Sequence, residues 1–178
     1  MNLWHDIPAG KNVPEEFNVI IEIPKNSYNK YEIDKETGLI ALDRANYSYA
    51  PYPFDYGFVP QTLWDDGDAL DVIVLTTFPL NPGILVKVRP VAVMDMTDSG
   101  ESDYKVIAVP VDDKRWDDTR DLADVNKHMI KEFTHFFETY KLLKGKPSPV
   151  SINSVMGKQE ASDAVVRSVG LYKEKFGK

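Results

Sequence analysis

The stretch from residue 64 to residue 75, WDDGDALDVIVL, carries the strongest chemical signal in the sequence. Within seven positions it holds four carboxylates and no lysine or arginine, at Asp65, Asp66, Asp68 and Asp71. Gly67 lets the backbone turn between Asp66 and Asp68, and Asp71 opens a strand, so three carboxylates are expected to converge. Each pair at about 4 Å would repel by roughly 4 kcal/mol at an effective dielectric constant near 20. A divalent cation would remove that cost, whereas the commoner alternative for an acidic cluster is a solvated loop.

A second acidic segment favours the cation, because it has the same character. In MDMTDSGESDYKVIAV, Asp98 and Asp103 stand on either side of a Ser-Gly-Glu-Ser turn. A hairpin at that turn would bring the two carboxylates across from each other, and Lys105 follows Asp103 on the same strand face. Together the two segments indicate a metal site with a basic side chain beside it.

Two further segments place charges on predicted strands. NKYEID alternates Lys30 and Glu32 on one face, and VIIEIP sets Glu22 within an otherwise apolar strand. Lys30 with Glu32 could be an ordinary solvated face, and Glu22 could pair with a neighbouring base. Each taken alone is more often structural than functional.

The first half of the chain supplies strands to position these residues. Residues 17–111 contain short β-rich runs separated by turn residues: FNVIIEI, KYEI, LIALD, LDVIVLTT, ILVKVRPVAVM and YKVIAVPV. They predict a small antiparallel barrel or meander. The nearly continuous apolar runs at 72–77 and 84–94 indicate strands that are buried on both faces or that belong to a tightly closed barrel.

The hydrophobic period changes to that of helices after about residue 122. One amphipathic helix is predicted over 126–143, closed by the Gly-Lys-Pro at 145–147, with an apolar face of Met129, Ile130, Phe133, Phe136, Phe137, Tyr140 and Leu143. A second helix is predicted from a face made of Ala161, Ala164, Val165, Ser168 and Tyr172. Gly170 weakens its last turn, since glycine costs about 1 kcal/mol relative to alanine inside a helix.

Composition limits the chemistry and the partners. The chain has 178 residues, of which 43% are hydrophobic and 28% charged, as expected for a single domain spanning 1–178. It has no cysteine, so hard cations held by oxygen ligands are the default metals. The N-terminal MNLWHDIPAGKN lacks the apolar core of a signal peptide and no run approaches membrane-spanning length, which predicts a cytoplasmic protein without a membrane partner. The net charge of −7 repels nucleic acid, so no nucleic-acid partner is expected.

These motifs together resemble the family I soluble inorganic pyrophosphatases of the bacterial type, over nearly the whole chain from PAGKNVPEE to the helix at 126–143. The resemblance is carried, in order, by VIIEIP, NKYEID, LDR, YPFDYGF, DGDALDV, MTDSGESDYK and HFFETYK. One departure is Ala69, which stands where the family signature usually has proline. The loop loses a stiffening residue there but no ligand.

The resemblance implies a mainly β fold with α-helices, an OB-fold-like five-stranded β-barrel with two flanking α-helices, and several Mg²⁺ ions in its mouth. Six carboxylates would hold the ions: Glu22, Glu32, Asp66, Asp71, Asp98 and Asp103. Their implied assignment is Asp66, Asp71 and Asp103 on one ion, Asp71 bridging to a second, Asp98 and Asp103 on a third, and Glu22 and Glu32 near one that arrives with substrate. Asp68 would be the general base for a water shared by two metals, which attacks pyrophosphate directly and yields two phosphates.

The resemblance also implies a set of phosphate-binding side chains: Lys30, Arg44, Tyr56, Lys105, Tyr140 and Lys141. Because the protein and pyrophosphate are both negatively charged, pyrophosphate is expected to bind as its magnesium complex. A homohexamer is implied too, with His128 and His135 as interface or core side chains rather than metal ligands. Tyr52, Tyr56 and Tyr140 could equally be core aromatics.

Two other functional classes remain open at this point. An OB-like barrel could bind nucleic acid, although that function needs a basic groove with stacking aromatics, and the motif-bearing face here is acidic. A calcium-binding structural protein would bind metal and gain stability without turnover. A phosphate-release assay separates this second class from an enzyme.

Overall fold

The computed structural model describes residues 1–146 and 148–177, so Pro147 of the predicted Gly-Lys-Pro stop and the C-terminal Lys178 lie outside the described residues. The strands are β1 (Phe17–Ile23), β2 (Asn29–Ile33), β3 (Ile40–Ala45), β4 (Asp55–Phe58), β5 (Asp71–Val74), β6 (Leu85–Asp98), β7 (Glu101–Ser102), β8 (Lys105–Pro110) and β9 (Val150–Met156). Helix α1 spans Lys127–Thr139 and helix α2 spans Lys158–Phe176.

Five strands close on themselves. In the order β1-β4-β5-β8-β6 each strand pairs with the next, and β6 pairs back with β1. Only β5 and β8 run parallel within this ring, while its other pairs are antiparallel. Strands β7 and β9 each pair with β6, and β2 pairs with β3 in a separate two-stranded ribbon. The predicted mainly β fold, with a five-stranded barrel-like sheet and two helices, is confirmed.

Hydrophobic residues cover both faces of the ring strands. Val72, Val93 and Val106 belong to a buried cluster that includes Ala164 and Val165 of α2. Their chain neighbours Ile73, Met94 and Ile107 belong to a second cluster that includes Phe133, Phe136 and Phe137 of α1. Successive strand residues point to opposite faces, so two covered faces require continuous apolar runs, as predicted for the runs at 72–77 and 84–94.

Helix α1 ends earlier than predicted. Its N-cap is Asn126, whose side chain accepts hydrogen bonds from the backbone N–H groups of His128 and Met129. It stops at Thr139 and a short 3-10 helix follows over Leu142–Lys144. The predicted face was therefore too long, because Leu143 is 69% exposed rather than packed on the core.

Helix α2 matches its predicted face and continues through Gly170. Ala161, Ala164, Val165, Ser168 and Tyr172 are all buried, so tertiary packing outweighs the unfavourable helix propensity of the glycine. The helix ends at Phe176, followed by Gly177 in the left-handed conformation. Within the described chain, neither helix combines the length and hydropathy needed to cross a bilayer.

Besides the two-residue β7, two strands were not predicted from the sequence, β4 and β9. Strand β4 has only four residues, and its Gly57 lies so close to β1 that an added Cβ would sit 1.9 Å from the carbonyl oxygen of Ile20. Strand β9 lies beside β6 and has no fully buried side chain, so its sequence gives no clear pattern. Both depend on a partner strand that is distant in the sequence.

Candidate active site

One cavity of about 490 Å³ gathers every residue proposed for the site. Its lining includes seven carboxylates and six other predicted side chains: Glu22, Glu32, Asp66, Asp68, Asp71, Asp98, Asp103, Lys30, Arg44, Tyr56, Lys105, Tyr140 and Lys141. These residues come from β1, the β2–β3 ribbon, β4, the loop before β5, the β6–β7 hairpin, β8 and the end of α1. The closed ring therefore brings segments more than a hundred residues apart to one cavity.

The parallel pairing of β5 with β8 places a lysine among the acids. Asp71 lies opposite Lys105 in the register, and the Lys105 Nζ donates to Asp71 Oδ2 at 2.5 Å and also to Asp103. Lys105 is only 3% exposed. Burial alone would lower the pKa of Lys105, but Asp103 and Asp71 outweigh it and raise the pKa, so the side chain stays protonated.

The acidic loop before β5 is folded by its own backbone. Trp64 N–H donates to the carbonyl of Asp68 at 2.7 Å, and Gly67 adopts a φ of +87° that favours glycine. The Asp66 carboxylate accepts the Asp68 N–H at 3.0 Å. Burial, together with the charges of Asp71 and Asp103, nevertheless raises the pKa of Asp66 to about 7.

Asp68 is more exposed to solvent than Asp66 and Asp71, which are only partly exposed. Its side chain is 55% exposed and forms an ion pair with Lys35, a residue of the turn between β2 and β3. The sequence analysis did not single out Lys35. It lies in the turn sequence DKETG, where a lysine is an ordinary surface residue.

Glu22 projects from β1 into the cavity and is 5% exposed. Its Oε1 accepts the Ile33 N–H at 2.7 Å, which links β1 to the β2–β3 ribbon. Burial, reinforced by the charge of Asp71, raises the pKa of Glu22 to about 8. The predicted basic partner for Glu22 is replaced in part by this backbone donor.

The β2–β3 ribbon pairs Lys30 opposite Arg44. Lys30 Nζ contacts Glu32 at 2.5 Å and Asp43 at 3.0 Å, and Arg44 contacts Asp43 at 2.6 Å. Asp43 thus holds two proposed phosphate-binding cations, a role that the sequence analysis missed although Asp43 stands next to Arg44. Burial alone would lower the pKa of Lys30, yet the hydrogen bonds that it donates to Glu32 and Asp43 raise its pKa.

The predicted hairpin forms between β6 and β7, with a register that corrects the expectation. Asp98 lies opposite Glu101, whereas Asp103 follows β7 and donates its N–H to the carbonyl of Met96 at 2.9 Å. Both aspartates still line the cavity. Lys141 forms an ion pair with Asp98 and, against the effect of burial, lowers the pKa of Asp98.

The three tyrosines combine both roles considered for them. Tyr52, Tyr56 and Tyr140 pack in or against the apolar cluster beneath α1 and also line the cavity. Burial raises the pKa of all three, so their hydroxyl groups remain protonated donors.

His128 and His135 are both exposed in the single chain, which excludes a core position for them here. Ala69 is only 8% exposed and packs in a small cluster with Trp4, Phe58 and Leu63. Packing therefore holds this point of the loop, where the family pattern has proline.

The donor set fits a hard divalent cation. Seven carboxylates face four basic side chains among the predicted residues, so negative charge is in excess when all are ionised. Oxygen-only ligands are those that Mg²⁺ and Ca²⁺ prefer. Among residues 1–146 and 148–177, no three acidic or histidine side chains form a ligand shell; Lys105 bridges Asp71 and Asp103, and Lys141 pairs with Asp98.

Comparisons with known proteins agree with the family resemblance that the sequence motifs indicate. Residues 19–173 match the family model described as inorganic pyrophosphatase. The chain is 44% identical to the inorganic pyrophosphatase of Haloferax volcanii, with 99% of each chain covered, and 43% identical to soluble inorganic pyrophosphatase 1 of Arabidopsis thaliana, covering 96% of this chain and 80% of the relative. The crystal structure of inorganic pyrophosphatase from Thermus thermophilus superposes with a TM-score of 0.94 at 42% identity, covering 97% and 99% of the two chains. The chain therefore belongs to the inorganic pyrophosphatase family.

Proposed function

We propose that this protein hydrolyses inorganic pyrophosphate to two phosphates by direct attack of water on phosphorus. The observation that carries the proposal is the single cavity in which all thirteen predicted residues meet. Its mixture of excess carboxylates and converging cations suits an anionic substrate that binds together with metal ions. Membership of the inorganic pyrophosphatase family supports the same substrate.

The phosphate-binding groups are Lys30, Arg44, Tyr56, Lys105, Tyr140 and Lys141. Arg44 offers a planar fork that can donate to two phosphate oxygens at once, and the lysines act as point charges. In the absence of ligand these cations bind Asp43, Asp71, Asp98 and Asp103 instead. Substrate binding therefore exchanges carboxylate partners for phosphate oxygens, and the cations remain neutralised before and after.

The metal-binding residues are Glu22, Glu32, Asp66, Asp71, Asp98 and Asp103, and we propose that they hold several Mg²⁺ ions. Bound ions would neutralise the phosphate charge and lower the pKa of the attacking water towards neutrality. Burial, together with the charges of Asp71 and Asp103, raises the pKa of Asp66 to about 7, so a nearby cation would favour its ionised form.

Asp68 serves as the general base. Its carboxylate is 55% exposed and accessible to water, whereas Glu22 is only 5% exposed. For the base to accept a proton, the Lys35 ion pair on Asp68 must open, which is easy because exposed ion pairs contribute only about 0–1 kcal/mol. The proton then resides on an Asp68 carboxylate oxygen.

The remaining features of the proposal are the OB-fold-like identity of the five-stranded ring, a cytoplasmic location and a homohexamer. The exposed His128 and His135 on α1 are the proposed contacts between subunits. Light scattering after gel filtration tests the assembly against a chain mass of 20.2 kDa.

The decisive experiment measures phosphate release from pyrophosphate with Mg²⁺ and then with excess EDTA. We expect rapid release that EDTA abolishes. Asp68→Asn should lose about 10²–10⁴-fold in kcat, the usual contribution of a general base, while the fold and metal binding are retained. Asp118→Asn, an exposed aspartate outside the cavity lining, is the matched control.

Two results would contradict the proposal. Activity of Asp68→Asn close to that of the wild type would reject the base assignment. Stabilisation by Ca²⁺ or Mg²⁺ without phosphate release would favour a calcium-binding structural protein instead.

A further inference from the structure

A second cavity, of about 350 Å³, lies behind the acidic loop and beside α2. Arg167 of α2 lines this cavity and makes two contacts with the loop. Its guanidinium lies over the ring of Trp64, with 4.6 Å from Cζ to the ring centre, and its Nη2 donates to Asp65 Oδ1 at 2.7 Å. Trp64 and Asp65 are the two residues before Asp66 in the chain.

Trp64 in turn contacts the other acid-bearing segment. Its Nε1 donates to Ser102 Oγ at 3.3 Å, and its ring stacks on Tyr104 with centres 4.9 Å apart. Ser102 and Tyr104 are the chain neighbours of Asp103. The ring of Trp64, only 5% exposed, therefore lies between the loop that carries Asp66 and the segment that carries Asp103.

Helix α2, which carries Arg167, is itself fixed in position by hydrogen bonding and packing. The Leu63 N–H donates to the carbonyl of Ser168 at 3.0 Å, which ties the start of the acidic loop directly to the helix. Val165 is fully buried in the cluster that contains ring-strand residues, and Ser168 is fully buried too. The side chain of Arg167 thus extends from an element whose own position is fixed by packing.

We propose that Arg167 is a positioning residue that holds Trp64 against Ser102 and Tyr104 and so sets the spacing between Asp66 and Asp103. A planar guanidinium can stack on an indole ring and bind a carboxylate at the same time, which a lysine ammonium cannot do with the same geometry. The role given to the acids rests on the proposed function. The contacts of Arg167 with Trp64 and Asp65 are independent of the proposed function.

The test uses the full chain freed of metal, with two readouts other than activity. Mn²⁺ affinity is measured from the electron paramagnetic resonance signal of free Mn²⁺, and loop opening from hydrogen exchange of the amides at 63–70. We expect Arg167→Met to bind Mn²⁺ about tenfold more weakly, as found when residues that orient metal ligands are replaced. Its loop amides should exchange several-fold faster than those of the wild type.

Conservative variants give a graded series. Arg167→Lys should fall between the wild type and Arg167→Met, because it keeps a charge near Asp65 but loses the flat stack on Trp64. The effects of Asp65→Asn and Arg167→Met should be non-additive in the double variant, since both remove the same ion pair. Lys173→Met, an exposed position further along α2, is the control and should leave both readouts unchanged.

The outcomes separate this inference from the proposed function. Unchanged Mn²⁺ affinity in Arg167→Met, even with a lower melting temperature, would overturn the positioning role. If Arg167→Met does not fold, the same readouts on Arg167→Lys and Asp65→Asn decide. A wild-type protein that releases no phosphate, but whose variants bind Mn²⁺ more weakly, would reject the pyrophosphatase activity and retain the role of Arg167.

Discussion

Replacing Lys105 by methionine is the most informative perturbation of the site. The variant keeps the length of a side chain that is only 3% exposed, but it removes the ammonium group that binds both Asp71 and Asp103. Two carboxylates then face each other without a cation between them. We expect the metal-free protein to lose a large part of its stability.

The size of the loss follows from the contacts. Two carboxylates that shared one ammonium lie within roughly 4–5 Å, where like charges repel by about 3–4 kcal/mol at an effective dielectric constant near 20. Removal of the lysine also removes its own desolvation cost, which offsets part of the repulsion. The free energy of unfolding should therefore fall by about 3–5 kcal/mol, the range seen when one partner of a buried ion pair is deleted.

Urea unfolding at pH 7.5 with EDTA measures this change, with Lys87→Met as control because Lys87 is an exposed lysine of β6. Addition of Mg²⁺ should restore much of the loss, since a cation between the acids replaces the missing ammonium. A metal-free Lys105→Met protein as stable as the wild type would refute the view that Lys105 balances these two carboxylates.

Further predictions concern the backbone, pH and the helix. Gly57→Ala should lower the free energy of unfolding by more than about 2 kcal/mol, since its Cβ would lie 1.9 Å from the Ile20 carbonyl oxygen; an effect under 1 kcal/mol in urea unfolding would contradict this close approach. Gly170→Ala should instead stabilise the protein by up to about 1 kcal/mol, because its Cβ meets no atom within 4 Å in α2; destabilisation in the same assay would argue against it. Glu22, with a pKa raised from 4.5 to about 8, and Asp66, raised from 3.8 to about 7, bind more protons folded than unfolded. Their contribution to stability is fully present below pH about 4 and is lost as the pH rises through about 7 and 8, so the unfolding free energy of the metal-free protein should decline over that range; a profile that rises from pH 5 to pH 8 would show that these shifts are absent.

Side-chain chemistry and short-range spacing predicted the two acidic segments with Lys105 beside them, whereas Arg44 and Lys141 were added only by the resemblance to a known family. The aspartates around Gly67, and the pair around the Ser-Gly-Glu-Ser turn, are local patterns whose geometry depends on a few residues. Their resemblance to a known family added the roles of Asp68 and of the tyrosines. The structure places all of these residues on one cavity.

Local sequence patterns do not predict contacts between residues that are far apart in the chain. The sequence does not reveal that Asp71 pairs with Lys105, because that contact depends on the parallel register of β5 with β8. Nor does it reveal Asp43 as the partner of Lys30 and Arg44. Each of these contacts involves surface-like residue types that become significant only when a distant segment lies beside them.

The helix prediction shows the same division. The three-to-four residue spacing of apolar side chains located α1 and α2, since it reflects the helical period itself. It did not locate the end of α1, where Tyr140 turns into the cavity and Leu143 faces solvent. Both side chains fit the period, and only the surrounding packing distinguishes them.

The sequence alone determined the fold class, the acidic character of the site and its need for cations, because residue type, strand alternation and helical period act over neighbouring positions. Tertiary structure decided which cation meets which carboxylate, how α2 holds the acidic loop through Arg167, and where α1 ends. These features depend on the closure of five strands into one ring, and closure is set by the packing of the whole chain rather than by any local pattern.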